Sequence, residues 1–96
     1  MGPPGRFGAM KRSGVVVKNC ADIGTGTGLL AFAALDLWPR ALATASDIDH
    51  VCVGVVEDNA ALNHVAMGPR PGELVMLVAD GMEHPLLAAR GPYDLV

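Results

Sequence analysis

Short apolar runs alternate with helix-length segments along this chain, separated by clusters of glycine, proline and aspartate. Val15-Val16-Val17 and then Cys20-Ala21-Asp22-Ile23 read as one buried strand, with Lys18-Asn19 as an irregularity inside it. A glycine-rich turn, Gly24-Thr25-Gly26-Thr27-Gly28, leads into a helix over Leu29 to Leu37. Thr27 is its candidate N-cap. Pro39 ends it, because proline lacks a backbone donor and restricts the residue before it. Ala41 to Ser46 predicts a second strand, and Asp49 caps a second helix that runs to about Leu62. That helix is weakly encoded, since Val51, Val53, Val55 and Val56 are β-branched and Gly54 sits among them. A loop at Gly68-Pro69-Arg70-Pro71-Gly72 precedes a third strand over Leu74 to Ala79, which Asp80-Gly81 closes with a turn. Pro85 to Ala89 predicts a short helix, Gly91-Pro92 breaks it, and Tyr93-Asp94-Leu95-Val96 opens a fourth strand.

The order β-α-β-α-β-α-β argues a parallel sheet made of βαβ units. About 30 residues per unit allow three units in 96 residues. A complete doubly wound sheet has about six strands. The expected fold is therefore α/β, a partial doubly wound parallel sheet with about four strands present. Composition fits: 51% of residues are hydrophobic and only 18% charged, as strands covered on both faces require. The same figures exclude a disordered chain. Two cysteines, Cys20 and Cys52, do not frame a disulfide scaffold, and both read as small core residues. The longest apolar run, Leu29 to Leu35, is far short of the ~18 residues of a membrane span. A cytoplasmic protein with no membrane partner is the expectation.

Charge is unevenly spread. Arg6, Lys11, Arg12 and Lys18 stand in the first 18 residues without an acid, whereas the remainder holds three bases and all ten acids. Residues 1–14 read as a flexible Gly/Pro-rich basic arm, and 15–96 as the ordered domain. The net charge of −3 gives no reason to expect direct nucleic-acid binding.

Ligands of open α/β sheets bind beyond the carboxyl ends of the strands, and three features fall there. The first is Asp22-Ile23-Gly24-Thr25-Gly26-Thr27-Gly28, whose glycines permit positive φ and close approach of a ligand, ahead of a helix N-terminus that favours anions. The second is Asp47, 23 positions after Gly24, where a carboxylate accepts from both hydroxyls of a ribose. The third is Asp80-Gly81, placed to meet an adenine amino group. Two nucleoside cofactors compete for this pattern. Gly26-Thr27-Gly28-Leu29-Leu30-Ala31 satisfies the dinucleotide form G-x-G-x-x-A, with Asp47 21 residues after Gly26. The pattern D-x-G-x-G-x-G instead suits S-adenosylmethionine and gives Asp22 a role that the dinucleotide pattern does not. A P-loop is excluded, because no Gly-Lys-Ser/Thr follows the glycines. His50, His64 and His84 lack metal-ligand spacing, Trp38 reads as packing, and the Leu29/Leu30/Phe32/Ala33 surface reads as core.

The run ADIGTGTGLLAFAALDLWPRALATASDID, followed by DNAALN, ADGMEHPLL and GPYDLV, resembles the ribosomal protein L-eleven methyltransferase family over residues 20–96. The resemblance implies a Rossmann-like class I methyltransferase fold that uses S-adenosylmethionine to methylate amino groups of a ribosomal protein. It implies a cofactor-binding set of Asp22, Gly24, Thr25, Gly26, Gly28, Asp47, Ile48, Asp80 and Gly81. Gly24, Gly26 and Gly28 would surround the methionine part, Asp22 would brace the loop or meet the cofactor's amino group, Asp47 would hold the ribose, and Asp80-Gly81 would lie near the adenine. His50 departs from the family's proline at the start of the second helix. The family's N-terminal recognition domain, its Gly-His-His-Gly-Thr-Thr segment and the Asn-Ile segment after the fourth strand have no counterpart in these 96 residues. The expectation is thus the N-terminal half of a catalytic domain, with no catalytic residue or oligomeric state assigned. Rival readings are a class I methyltransferase for RNA, DNA or a small molecule, an NAD-type oxidoreductase, and a binding module without activity.

Overall fold

A computed structural model of the chain describes residues 14–81 and 84–96. The expected arm over 1–14 thus lies, but for Gly14, outside the described residues. Three strands, β1 (Asn19–Ile23), β2 (Leu42–Asp47) and β3 (Leu74–Val78), form a parallel sheet in the order β1-β2-β3. The helices are α1 (Leu29–Leu37), α2 (Val51–Leu62) and α3 (Pro85–Arg90).

The fourth strand appears only as a parallel bridge, Cys20 to Leu95. It lies on the far side of β1 from β2, held by the Ala21 amide on the Leu95 carbonyl (2.9 Å) and the Asp94 amide on the Asn19 carbonyl (2.8 Å). The first three strands run outward in one direction, and the chain then returns to the other side of β1. That reversal is a topological switch point, and crevices at such points take ligands.

The first strand starts later than the apolar pattern predicts. Val15 and Val16 are exposed, and the Lys18 and Asn19 amides both donate to Asp94 Oδ2, at 2.8 and 3.1 Å, instead of to a neighbouring strand. The carbonyl of Val15 accepts from the Trp38 indole at 3.1 Å, which fixes this segment against the end of α1. Gly28, not Thr27, is the N-cap of α1, with left-handed φ of 84° and no side-chain cap. At α2 the formal cap is His50, yet Asp49 performs the capping, because its Oδ1 accepts the Val51 amide at 3.0 Å. The Nδ1 of His84 does the same for α3, accepting the Leu86 amide at 3.0 Å.

One core lies between the sheet and the first two helices. Ala43, Ala45 and Leu74 of the sheet are fully buried against Ala31, Phe32, Ala34 and Leu35 of α1 and Val56 and Ala60 of α2. Leu29 and Leu30 are 55% and 48% exposed, so the apolar surface expected at the start of α1 is displaced toward Ala31 to Leu35. Small alanines in β2 let the helices approach closely. Cys20 is buried in the core as expected, and burial, aided by the Asp22 carboxylate, pushes its thiol up to about 11. Cys52 is not a core residue: it is half-buried in the first turn of α2.

A glycine cradle and the Asp47 carboxylate

Every strand of the sheet points its carboxyl end at the same rim. The rim carries Asp22 in β1, Asp47 at the end of β2 and Asp80 two residues beyond β3. The loop between β1 and α1 is the most constrained part of it. Gly24, Gly26 and Gly28 have φ of 71°, 61° and 84°, a region that L side chains rarely adopt. Within the loop Thr25 is tied twice: its amide donates to the Ser46 carbonyl at 2.9 Å, and its Oγ1 donates to Asp22 Oδ2 at 2.7 Å. Asp22 thus braces the loop from the strand before it. From the other helix, Asn59 donates its side-chain amide to the Thr27 carbonyl at 2.9 Å.

Asp47 joins the loop to β2. Its Oδ2 accepts the Gly26 amide at 3.0 Å and its Oδ1 accepts the Asp49 amide at 3.0 Å. These two backbone donors, that of Asp49 foremost, hold the carboxyl below its ordinary value of 3.8, and the Cys52 thiol adds a weaker bond. The Cys52 thiol is in turn raised, first by burial and then by the charges of Asp47 and Asp49. A group whose folded-state pKa is depressed contributes stability above its unfolded value and loses it as pH falls through the folded value. The Gly26 and Asp49 amide resonances are therefore expected to stay constant from pH 8 to 5. They shift only below the ordinary 3.8, which an NMR pH titration checks.

The three glycines are not equivalent. A Cβ at Gly24 or Gly26 would meet nothing within 4 Å, so the loop leaves open space on that side. A Cβ at Gly28 would lie 2.8 Å from the Phe32 ring and 3.4 Å from Val56. Gly28 is required by packing, whereas Gly24 and Gly26 line an open cradle. Beside it the N-terminus of α1 has no side-chain cap, so its first-turn amides face outward.

Asp22, Thr25, Gly26 and Asp47 are thus linked by hydrogen bonds into one unit, with Gly24 in the same turn. Ile48 is 69% exposed immediately after Asp47. Asp80 and Gly81 are exposed on the same rim, joined to β2 through the Ala79 amide on the Asp47 carbonyl at 3.0 Å. Three participants escaped the sequence reading: the Ser46 carbonyl, the Cys52 thiol and the Asn59 amide. Asn59 stands in the DNAALN run, and its alignment with the loop depends on how α2 packs, which no local pattern reveals.

The family model for "Ribosomal protein L11 methyltransferase (PrmA)" matches residues 9–89. This chain belongs to that family. It is 45% identical over 80 residues to the ribosomal protein L11 methyltransferase of Rhodopseudomonas palustris, covering 82% of this chain and 25% of that protein. The Brucella suis protein of the same name is 38% identical over 78 residues, again with 25% of its length covered. The chain therefore spans about a quarter of the length of the curated relatives it matches. The crystal structure of the ribosomal protein L11 methylase from Lactobacillus delbrueckii subsp. bulgaricus aligns with a TM-score of 0.58 at 32% identity, over 76% of this chain and 34% of that one. The methyltransferase family's α/β fold is the fold described above. No helix among the described residues is long and apolar enough to cross a membrane.

Proposed function

We propose that this chain forms the S-adenosylmethionine-binding part of a methyltransferase that acts on amino groups of ribosomal protein L11. The observation that carries the reading is the bond between the Asp47 carboxylate and the Gly26 amide beside the open cradle at Gly24 and Gly26. A carboxylate offers about four acceptor sites. Backbone amides use two of them here, and a ribose diol matches the other two, displacing the weak Cys52 thiol donor. The donor set therefore fits an adenosyl group. Gly24, Thr25, Gly26 and Gly28 would surround its methionine part, Ile48 would lie against the nucleoside, and Asp80 with Gly81 would border the adenine. Asp22 acts through Thr25, keeping the loop in the conformation that leaves the cradle open.

When bound, S-adenosylmethionine supplies a sulfonium whose methyl group passes to a neutral amine nitrogen. This chain's residues hold the donor and fix its direction, which is the larger part of catalysis for such a good leaving group. The domain plan is a basic arm over 1–14 and the N-terminal half of the cofactor-binding domain over 15–96. The partner is a ribosomal protein, with neither a membrane nor direct nucleic-acid contact, which suits a cytoplasmic location.

Calorimetric titration of the purified chain tests the reading. Saturable binding of S-adenosylhomocysteine, with none of NAD, is the expected result. NAD binding in its place would return the loop to the dinucleotide reading.

A further inference from the structure

Asp22 and Asp47 hold the glycine loop from the sheet side. Asn59 holds it from α2, donating its side-chain amide to the Thr27 carbonyl at 2.9 Å. Among the described residues no backbone amide takes that carbonyl. The helix meets the end of the loop at two successive turns. Val56 stands three positions before Asn59, hence on the same face, and its Cγ1 lies 3.4 Å from where a Cβ at Gly28 would be.

The Asn59 bond falls on a peptide that its own residues leave free to turn. In a trans peptide the carbonyl and the following amide point in opposite directions. The Thr27 carbonyl points to Asn59, and the Gly28 amide points back to the Thr25 carbonyl at 3.3 Å. That second bond closes a turn from Thr25 to Gly28 around Gly26, whose amide is the one that meets Asp47. Rotating the Thr27-Gly28 peptide changes little except ψ of Thr27 and φ of Gly28, and glycine adopts φ of either sign. The observed φ of 84° is therefore selected from outside the turn. At 3.3 Å the Gly28 bond is long for an N–H···O contact, so the shorter Asn59 bond is the stronger restraint on this peptide. Without it the peptide can rotate, the turn opens, and the cradle beside Gly24 and Gly26 loses its shape.

The helix itself gives no reason for an asparagine here. Asparagine ranks low among helix formers, and alanine at this position would favour α2. We propose that Asn59 is a positioning residue for the cofactor: through the Thr27 carbonyl it selects the peptide orientation that closes the turn around Gly26 and keeps the cradle formed. The proposal rests on the S-adenosyl reading of the cradle.

Calorimetry with S-adenosylhomocysteine and amide hydrogen exchange of the unliganded 96-residue chain test it, on wild type, Asn59→Ala, Asn59→Asp and Asn63→Ala. Asn59→Ala removes the donor while favouring the helix. Asn59→Asp keeps the size and turns a carboxylate toward the carbonyl. Asn63→Ala is the control: it deletes a bond in the same turn of α2, Asn63 Nδ2 on the Asn59 carbonyl at 2.7 Å, and leaves the Asn59 side chain in place. Both Asn59 variants are expected to bind about fivefold more weakly than wild type, Asn59→Asp at least as weakly as Asn59→Ala, with exchange at the Gly28 amide about fivefold faster. Asn63→Ala should match wild type in both readouts. Wild-type affinity and Gly28 exchange in the Asn59 variants would overturn the proposal while leaving the cofactor reading intact. An equal loss in Asn63→Ala would also overturn it, since the effect would then be one of helix stability. A wild-type chain that does not bind S-adenosylhomocysteine would overturn the cofactor reading, and this proposal with it.

Discussion

Asp47→Ala is expected to lower the affinity of the chain for S-adenosylhomocysteine by about a hundredfold, roughly tenfold for each of two charge-assisted hydrogen bonds. The side chain has two roles in this site. It offers the acceptor positions for a ribose diol, and it holds the Gly26 amide at 3.0 Å, which anchors the middle of the glycine loop. Asp47→Asn separates the two. An amide keeps one oxygen for the ribose or the loop but replaces the other with a donor, so a loss nearer tenfold is expected. Calorimetry on both variants, with far-UV circular dichroism to show an intact fold, checks the order. Equal affinities for the three chains would place the nucleoside away from β2.

Gly28→Ala is expected to destabilise the chain by about 2–4 kcal/mol, from a left-handed backbone that now carries a Cβ and from overlap with the Phe32 ring. For a domain of this size that lowers Tm by roughly 10–20 °C. Gly26→Ala has the same backbone problem without the overlap, since nothing lies within 4 Å of its Cβ. It should cost only about 1–2 kcal/mol, yet its methyl group occupies the cradle, so the ligand is lost while the fold persists. The two variants thus separate a glycine kept for packing from one kept for a ligand. Thermal unfolding and a titration of each provide both readouts. A Gly26→Ala chain that binds normally would remove the cradle from the account.

Much of this was legible in the sequence because the cues were local. The bounds of α1 follow from a glycine at one end and Pro39 near the other. The rim acids follow from their places at strand ends. The α/β class follows from alternation of apolar runs. The misreadings arose where a distant contact overrides a local signal. Val15 to Val17 has strand composition, but Asp94, more than 70 residues away, takes the Lys18 and Asn19 amides, and Trp38 takes the Val15 carbonyl. Cys52 stands in an apolar run, yet Asp49 caps α2 so that its first turn faces Asp47. Leu29 and Leu30 look like core, but the αL conformation of Gly28 starts the helix with both exposed. The fourth strand is represented by one bridge, Cys20 to Leu95, with the Asp94 amide on the Asn19 carbonyl beside it.

The most direct test of the account is an amide-resolved NMR titration with S-adenosylhomocysteine. The predicted result is a saturable set of shifts at Gly24, Thr25, Gly26, Ile48, Asp49 and Gly81, with β3 residues Val75 to Leu77 unmoved. Binding that shifts resonances elsewhere and leaves the Gly24 to Gly26 amides in place would contradict it.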